Sequence, residues 1–332
     1  MSISKKKFTK KKKIINAWIH IDSISSAKII AKAGFDAITI DLQHGMFSFE
    51  KCRDIIQVIE KYEVFPIVRV PSNDIGIINK VLDAGAYGVI CPLINEKTDV
   101  EKFTDACFYP PKGNRSFGPT LVSIDKDNYF DKGNKEVLSI SMVETRESVN
   151  NLHDILENKS LDMIYVGPYD LSISHGFKPD KVFVEKKMLN IYKQVLKIAK
   201  KFGKKTAIHC SGPDTGRFFL KMGFDMVTIS TNLSRIDTIK DISEQYQEVF
   251  FTVGVHPNEA HKDKQYDDHL FIENYSNHEK CVGIGEGGLD YFYNMDNMSD
   301  VHRRFLGTNG TAYVVGGLGG SVYNRGGVTI AT

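Results

Sequence analysis

Short apolar runs alternate with amphipathic stretches over the first 247 residues of the chain. Runs rich in valine and isoleucine, apolar throughout, are typical of strands buried on both faces. They predict strands at 14–20, 37–42, 65–70, 88–93, 137–143, 163–166, 206–209 and 226–230. Stretches with a helical apolar period predict helices at 25–33, 48–62, 75–84, 95–107, 147–158, 184–202, 212–222 and 236–247.

Eight strand–helix units in about 245 residues is the count of a (β/α)₈ TIM barrel. The main alternative is a doubly wound sheet, which usually has a glycine-rich turn after its first strand, and residues 20–24 form no such turn. The GIGEGG run at 283–288 has the wrong spacing for a dinucleotide-binding motif. We therefore predict an α/β protein, a TIM barrel at 14–247 with a C-terminal partial α/β appendage.

The charge is uneven at the start of the chain. Residues 1–13 hold seven lysines and no acid, so the rest of the 332-residue chain has a net charge of −5. No apolar stretch typical of a targeting signal follows the lysines, and we expect a basic, disordered N-terminus. The mildly acidic body argues against a nucleic-acid partner. No apolar run approaches the roughly 18 residues of a membrane span, so we expect no membrane contact.

The composition changes again beyond residue 247. Residues 248–305 contain five of the ten histidines, whereas residues 306–332 contain eight glycines and one charged residue. We expect the first stretch to be an incomplete appendage and the second to be either a flexible tail or weak hairpins. The five cysteines are scattered without a CxxC motif. This pattern favours reduced thiols and a cytoplasmic protein.

Candidate chemistry lies at the strand ends, because the catalytic residues of a TIM barrel follow the carboxyl ends of its strands. Polar side chains occur there after the second, third, fifth, sixth and seventh strands: Asp41, Gln43, His44, Arg69, Glu144, Asp170 and His209. The loops at that end converge, so we expect these side chains to share one mouth.

The types of these residues indicate a reaction class. Glu144 and Asp170 provide two carboxylates on adjacent strands, an oxygen-rich set suited to Mg²⁺ or Mn²⁺ once water and a chelating substrate complete it. His44 is the natural general base near neutral pH. Arg69 offers a fixed fork for a carboxylate or enolate oxygen. Helix capping, surface packing or a structural ion pair would explain each residue alone, but their combination favours catalysis.

Six segments resemble the HpcH/HpaI aldolase family, the metal-dependent (class II) pyruvate aldolases. They occur in family order over roughly residues 15–247: GFDAITIDLQHG (34–45), PIVRVPSND (66–74), VLDAGAYGVICPLI (81–94), FYPPKGNRSFG (108–118), MVET (142–145) and YVGPYDLSISHG (165–176). The resemblance implies a carbon–carbon lyase that cleaves a 4-hydroxy-2-oxo acid to pyruvate and an aldehyde through a metal-stabilised enolate. The implied cofactor is Mg²⁺, Mn²⁺ or Co²⁺.

The resemblance also implies roles for individual residues. His44 would be the base, polarised by Asp83, and Arg69 would bind the pyruvyl keto oxygen. Glu144 and Asp170 would hold the metal. Members of the family usually form hexamers that exchange the eighth helix, so we expect a homo-oligomer. The implied substrate is a small-molecule 2-oxo acid, and the resemblance narrows its class only to sugar-acid or dicarboxylic keto acids.

Four further residues are expected to line the substrate site: Trp18, Met142, Tyr169 and His209. Trp18 has the position of an aromatic wall beside pyruvate, with plain core packing as the alternative. Met142 replaces a glutamine that family members often have two residues before the metal-binding glutamate. Tyr169 replaces a smaller residue and would narrow the mouth. His209 points into the mouth if its strand has the expected register.

Residues 248–305 resemble the TatD family of metal-dependent hydrolases, which includes DNases. The matching pieces are TVGVHPNEA (252–260) and VGIGEGGLDYFY (282–293), in which Glu286 would be a metal ligand. The chain contains no HxH pair, and one carboxylate cannot complete a metal site. We therefore expect no hydrolase activity. A TatD-like hydrolase and a non-catalytic barrel scaffold are the alternatives to the lyase.

Overall fold

The computed structural model describes residues 3–229, except 21, 47, 126–127 and 180–181, and five short strands beyond them. The chain divides into two compact units, residues 1–230 and residues 231–332. In the described part, no helix is long and apolar enough to cross a membrane.

Eight parallel strands close into a barrel in chain order, and β8 completes the circle by pairing with β1. The strands are β1 (Ile14–Ile19), β2 (Ala37–Asp41), β3 (Phe65–Arg69), β4 (Gly88–Cys91), β5 (Leu138–Val143), β6 (Met163–Val166), β7 (Lys205–Cys210) and β8 (Met226–Ile229). The predicted TIM barrel is confirmed, with strand ends within about two residues of the expected ones.

Helices cover the outside of the barrel. Those that correspond to predicted helices are α2 (Ile24–Lys32), α3 (Phe49–Glu60), α4 (Ile75–Asp83), α5 (Lys97–Cys107), α8 (Arg146–Asn150), α9 (Leu152–Leu156), α11 (Lys186–Lys201) and α12 (Pro213–Met222). The predicted helix at 147–158 is thus divided into α8 and α9. In the described part of the chain, four short helices have no predicted counterpart: α1 (Lys5–Lys10), α6 (Val122–Asp125), α7 (Tyr129–Glu136) and α10 (Pro168–Ser174). The predicted helix at 236–247 lies outside the described residues.

The barrel has two hydrophobic layers. One fills the space between the strands and the outer helices, and the other fills the interior, where every second strand residue points inward. On β3 the inward residues are Phe65, Ile67 and Arg69, and β5 leads through Ile140 and Met142 towards its polar end. The interior therefore changes from apolar to polar towards the carboxyl ends of the strands.

The N-terminus is not disordered as predicted, since α1 (Lys5–Lys10) is a helix. Phe8 on this helix is 4% exposed and stacks on Phe65 at the amino end of β3, with 4.2 Å between ring centroids. The Lys5 ammonium donates to Asp162 at 2.6 Å. The prediction followed the lysine run and overlooked the single aromatic residue within it. Burial of that ring outweighs the tendency of a charged terminus to fray.

The second unit contains two small sheets. Strands β9 (Phe251–Val253) and β10 (Cys281–Ile284) pair in parallel. Strands β11 (Ala312–Gly316), β12 (Gly319–Tyr323) and β13 (Thr329–Ala331) form an antiparallel sheet. Most of residues 254–311, including Glu286, lies outside the described residues.

Candidate active site

An ion pair occupies the mouth of the barrel. Asp41 and Arg69 are the last residues of β2 and β3 and lie opposite each other in the strand register. Arg69 donates from Nε to Oδ1 of Asp41 at 2.8 Å and from Nη2 to Oδ2 at 2.5 Å. Asp41 is 0% exposed and Arg69 is 8% exposed. This two-point contact fixes both the position and the plane of the guanidinium group.

Asp41 collects several more donors. The backbone amides of Gln43 and His44 donate to Oδ1 at 3.0 and 3.3 Å, and Trp18 Nε1 donates to Oδ2 at 3.2 Å. Burial acts to raise the pKa of Asp41, but the hydrogen bonds from His20 and Arg69 and the charge of Arg69 lower it well below its usual range. Asp41 therefore stays ionised and holds Arg69, Trp18 and the turn after β2 in place at the mouth of the barrel.

His44 lies in the turn after β2 and is exposed. Within this chain Asp83 has a different described partner, and its predicted polarisation of His44 stays a prediction. The helix α4 follows β3 and runs back along the barrel, so its last residue, Asp83, lies at the opposite end. There the carboxylate of Asp83 accepts a hydrogen bond from Arg115 at 2.7 Å. The main-chain contact of His44 is with Asp41 instead.

Glu144 follows β5 and is 4% exposed. Its Oε1 accepts the backbone amide of Leu93 at 2.7 Å, which Leu93 presents from a left-handed conformation (φ 54°). A Cβ atom at Gly167 would lie 3.0 Å from Oε2, so glycine leaves this oxygen room. Burial raises the pKa of Glu144. The Leu93 amide opposes this shift, and the charge of Asp170 on α10 adds to it.

These two carboxylates fit a divalent cation. Among the described residues, Oε2 of Glu144 has no hydrogen-bond donor, while Asp170 is close enough to act on its titration and is itself exposed. A cation between them would relieve the repulsion and the cost of burial. No group of three metal-ligating side chains occurs in the described part of the chain. The protein would therefore provide two oxygen ligands, and water and substrate the others.

Aromatic side chains form one wall of the mouth. The Trp18 ring lies 4.9 Å from the guanidinium carbon of Arg69, 5.4 Å from the His209 ring and 5.6 Å from the Tyr165 ring. The Trp18 ring thus contacts the charged pair of the site and also packs against the interior hydrophobic layer. Tyr169 is half-buried beside this wall, 6.3 Å from the His209 ring.

His209 points into the barrel from β7, as its predicted register requires. Its Nδ1 lies 3.2 Å from the hydroxyl of Tyr165. Burial, assisted by the positive charge of Arg69, lowers the pKa of His209 to about 4. The imidazole is therefore uncharged at neutral pH. Met142, by contrast, is 2% exposed and belongs to the interior hydrophobic layer, where its methyl group abuts Gly167.

Two residues of this site, His20 and Tyr165, are not among the candidates from the sequence, and Asp41 is a strand-end candidate to which the sequence analysis gives no specific role. His20 follows β1, and its Nε2 lies 3.1 Å from both Asp41 Oδ2 and Trp18 Nε1. The strand-end rule that identified the other candidates would have found His20 as well. Tyr165 is a buried residue within β6, and only the inward alternation of that strand could have indicated it.

Residues 15–236 match the family described as HpcH/HpaI aldolase/citrate lyase, which is more than half of the chain. The chain belongs to this family. Membership confirms the resemblance carried by the six segments and the predicted function, a carbon–carbon lyase of the aldolase type. It also explains why the charged groups gather at the carboxyl ends of the barrel strands.

Curated relatives bear aldolase names. A hydroxypyruvate/pyruvate aldolase from Rhizorhabdus wittichii is 32% identical over 220 residues, which covers 66% of this chain and 88% of the relative. A 4-hydroxy-2-oxo-heptane-1,7-dioate aldolase from Escherichia coli is 28% identical over 225 residues, covering 66% of this chain and 85% of the relative.

Solved structures of this family share the fold. An HpcH/HpaI aldolase from Desulfitobacterium hafniense superposes with a TM-score of 0.66 at 21% identity, covering 74% of this chain and 96% of that one. A family member from Burkholderia cenocepacia gives a TM-score of 0.65 at 23% identity, with coverages of 72% and 96%.

A second match, to the family described as TatD related DNase, covers residues 216–308. It agrees with the resemblance of residues 248–305 to TatD hydrolases. This match spans less than a third of the chain, and the HxH pair is absent from the sequence. The absence of hydrolase activity stays a prediction.

Proposed function

We propose that the barrel is a divalent-metal-dependent aldolase that cleaves a 4-hydroxy-2-oxo acid into pyruvate and an aldehyde. The observation that carries this proposal is the buried Asp41–Arg69 pair within electrostatic reach of the Glu144 carboxylate. A fixed cation beside a pair of metal-ligating acids is suited to a 2-oxo acid, whose carboxylate and keto oxygens are both electron-rich.

Glu144 and Asp170 would hold Mg²⁺, Mn²⁺ or Co²⁺. When bound, the metal would supply a Lewis acid that polarises the oxygens of the 2-oxo acid. The hydrogen bond from the Leu93 amide to Oε1 orients Glu144 and leaves Oε2 available to bind the metal.

Arg69 would stabilise the charge that develops as the C3–C4 bond breaks. Asp41 engages its Nε and Nη2 groups, and Nη1 has no hydrogen-bond acceptor among the described residues. Nη1 can therefore donate to the keto oxygen, which becomes the enolate oxygen of the pyruvate product. Because Asp41 and Trp18 already fix the guanidinium, little reorganisation is needed when the charge appears.

His44 would take the proton of the C4 hydroxyl group, directly or through water. Its turn is attached to Asp41 by the backbone amides of Gln43 and His44, so the base and Arg69 share one anchor. Trp18, Tyr169 and His209 would line the substrate, with Met142 beneath them. We further propose a cytoplasmic homo-oligomer, a hexamer with exchange of residues 236–247, in which residues 1–247 suffice for activity.

The test is pyruvate release from a panel of 4-hydroxy-2-oxo acids with Mn²⁺, Mg²⁺ or Co²⁺, with and without EDTA. We expect metal-dependent turnover, abolished in the H44A/R69A double variant. The control is R217A, which removes an arginine from an exposed ion pair with Asp214. Full activity of the double variant, or turnover that is insensitive to EDTA, would refute the proposal. If no substrate is turned over, the alternative of a non-catalytic barrel scaffold is favoured.

A further inference from the structure

We propose that His209 determines substrate specificity by donating a hydrogen bond from Nε2 to a hydroxyl oxygen on the carbon skeleton of the substrate. This inference rests on the proposed aldolase function and names the substrate class that the site prefers. Its basis is a chain of buried polar groups that crosses the barrel interior and ends at the His209 ring.

The chain begins at Asn16 on β1. The Asn16 Nδ2 group donates to Thr228 Oγ1 on β8 at 2.8 Å. A hydrogen bond from the Thr228 side chain counters the rise in the pKa of Tyr165 on β6, which indicates that the two hydroxyl groups are neighbours. Tyr165 Oη lies 3.2 Å from Nδ1 of His209 on β7. Asn16 and Thr228 are 0% exposed and Tyr165 is 1% exposed, so water does not compete for these groups.

We assign the donors and acceptors of this chain starting from Asn16. An amide NH₂ group only donates, so Thr228 accepts from Asn16 and has its own hydrogen left for Tyr165. Burial raises the pKa of Tyr165 far above its usual range, and its phenol keeps its proton. In this assignment the Tyr165 oxygen accepts from Thr228, and the Tyr165 hydroxyl donates to Nδ1 of His209. An Nδ1 that accepts a hydrogen bond places the proton of a neutral imidazole on Nε2.

In this assignment the Nε2–H group of His209 is a donor that lacks a hydrogen-bond partner among the described residues. Its neighbours are the rings of Trp18 and Tyr169, at centroid distances of 5.4 and 6.3 Å. Arg69 nearby already supplies the cation that a carboxylate or enolate requires. A neutral donor between aromatic rings complements a neutral oxygen, and a hydroxyl group fits this description.

A substrate with a methyl group in place of the hydroxyl would leave this N–H unsatisfied. One neutral hydrogen bond corresponds to about a tenfold difference in kcat/KM. The hydroxyl group could lie on the acceptor aldehyde or on the 2-oxo acid donor. The experiment therefore compares near-isosteric pairs on each side of the reaction: glycolaldehyde with propionaldehyde, using pyruvate as donor, and hydroxypyruvate with 2-oxobutyrate, using one common aldehyde.

The measured quantity is the hydroxyl-to-methyl ratio of kcat/KM in a variant relative to that in the full-length wild-type enzyme. This double ratio cancels the intrinsic reactivity of the substrates. We expect H209L to lower the ratio about tenfold in one of the two arms. H209Q retains an N–H donor, and we expect its hydroxyl-to-methyl ratio to lie between those of H209L and the wild type. The control is H153L, which removes a histidine that packs on Phe202 away from the site and leaves the ratio unchanged.

Tyr165 is a positioning residue in this scheme, and its effect is visible without turnover. ¹⁵N NMR of histidine-labelled protein at pH 7.5 should show His209 as the Nε2–H tautomer in the wild type. Y165F should populate the other tautomer and lower the ratio, without a large change in the far-UV circular dichroism.

The two proposals fail in different ways. An active enzyme whose ratio is the same in H209L and wild type overturns the inference and leaves the aldolase function intact. A wild-type Nδ1–H tautomer also overturns the inference. Absence of all aldol activity with every metal refutes the proposed function itself, and the NMR experiment still reports the tautomer of His209.

Discussion

Replacing Asp41 by asparagine tests whether this buried carboxylate organises the mouth of the barrel. Asp41 accepts two hydrogen bonds from Arg69 and one each from Trp18 and the amides of Gln43 and His44. Asparagine removes the charge and directs an NH₂ group at some of these donors. Removing one member of a buried ion pair costs about 3–5 kcal/mol, and we expect D41N to lower the free energy of unfolding by about that amount.

The chain offers a matched control and a local reporter. Asp214 and Arg217 form the same type of ion pair at 2.6 Å, but their side chains are 79% and 68% exposed. D214N should therefore cost less than about 1 kcal/mol. Urea unfolding is followed by circular dichroism and by the fluorescence of Trp18, the single tryptophan of the protein, which contacts Asp41. Equal stability losses in D41N and D214N would refute the argument.

The same carboxylate predicts an acid-side pH dependence. The pKa of Asp41 is lowered in the folded state, so the unfolded state binds its proton first as the pH falls. The stabilisation is therefore complete above the ordinary aspartate pKa of about 4 and is lost as the pH drops below it. D41N should lack this component, and its unfolding free energy should change less over the acid range than that of wild type. Parallel pH profiles would contradict the assignment.

Further predictions concern the metal, the cation, the N-terminus and His209. E144Q should weaken Mn²⁺ binding in isothermal titration calorimetry while the folded protein persists, and unchanged affinity would exclude Glu144 as a ligand. R69K should lower kcat/KM at least about tenfold, because lysine cannot make the two-point contact with Asp41. F8A should lower the free energy of unfolding by about 3 kcal/mol through loss of the buried stacked ring, and a negligible effect in urea unfolding would contradict its packing role. Because the folded-state pKa of His209 is lowered to about 4, wild-type stability should fall as the pH drops from about 6.5 towards 4. The free energy of unfolding of H209L, measured by urea unfolding, should fall less over the same pH range.

Much of the site was predictable because strand ends of a TIM barrel are local features. A buried apolar run followed by Arg69 or Glu144 identifies both the strand and the end at which the charge lies. The same logic, applied to the end of β1, leads to His20. The hydrogen-bond and ion-pair partners of these groups were harder to predict from the sequence. Within one chain the direction of α4 takes Asp83 to the other end of the barrel and to Arg115, a contact that the sequence did not indicate.

The N-terminal lysines show the limit of composition as a guide. Seven lysines in 13 residues indicate a solvated segment, and most of these side chains are indeed exposed. The conformation nevertheless depends on Phe8, whose ring finds Phe65 beneath the barrel. A single aromatic residue changes the average composition of a polar segment very little. Burial of its ring nevertheless contributes a large share of the free energy that holds the segment in place.

The sequence by itself determined the barrel, its strand order and the end that carries the chemistry, because each follows from alternation over short stretches of chain. Only the tertiary structure decided which polar groups meet. Closure of the barrel brings Asn16 to Thr228 across 212 positions of sequence, and the register of β2 and β3 sets Asp41 against Arg69. Hydrogen-bond direction, burial and tautomer depend on such distant neighbours, and no local pattern specifies them.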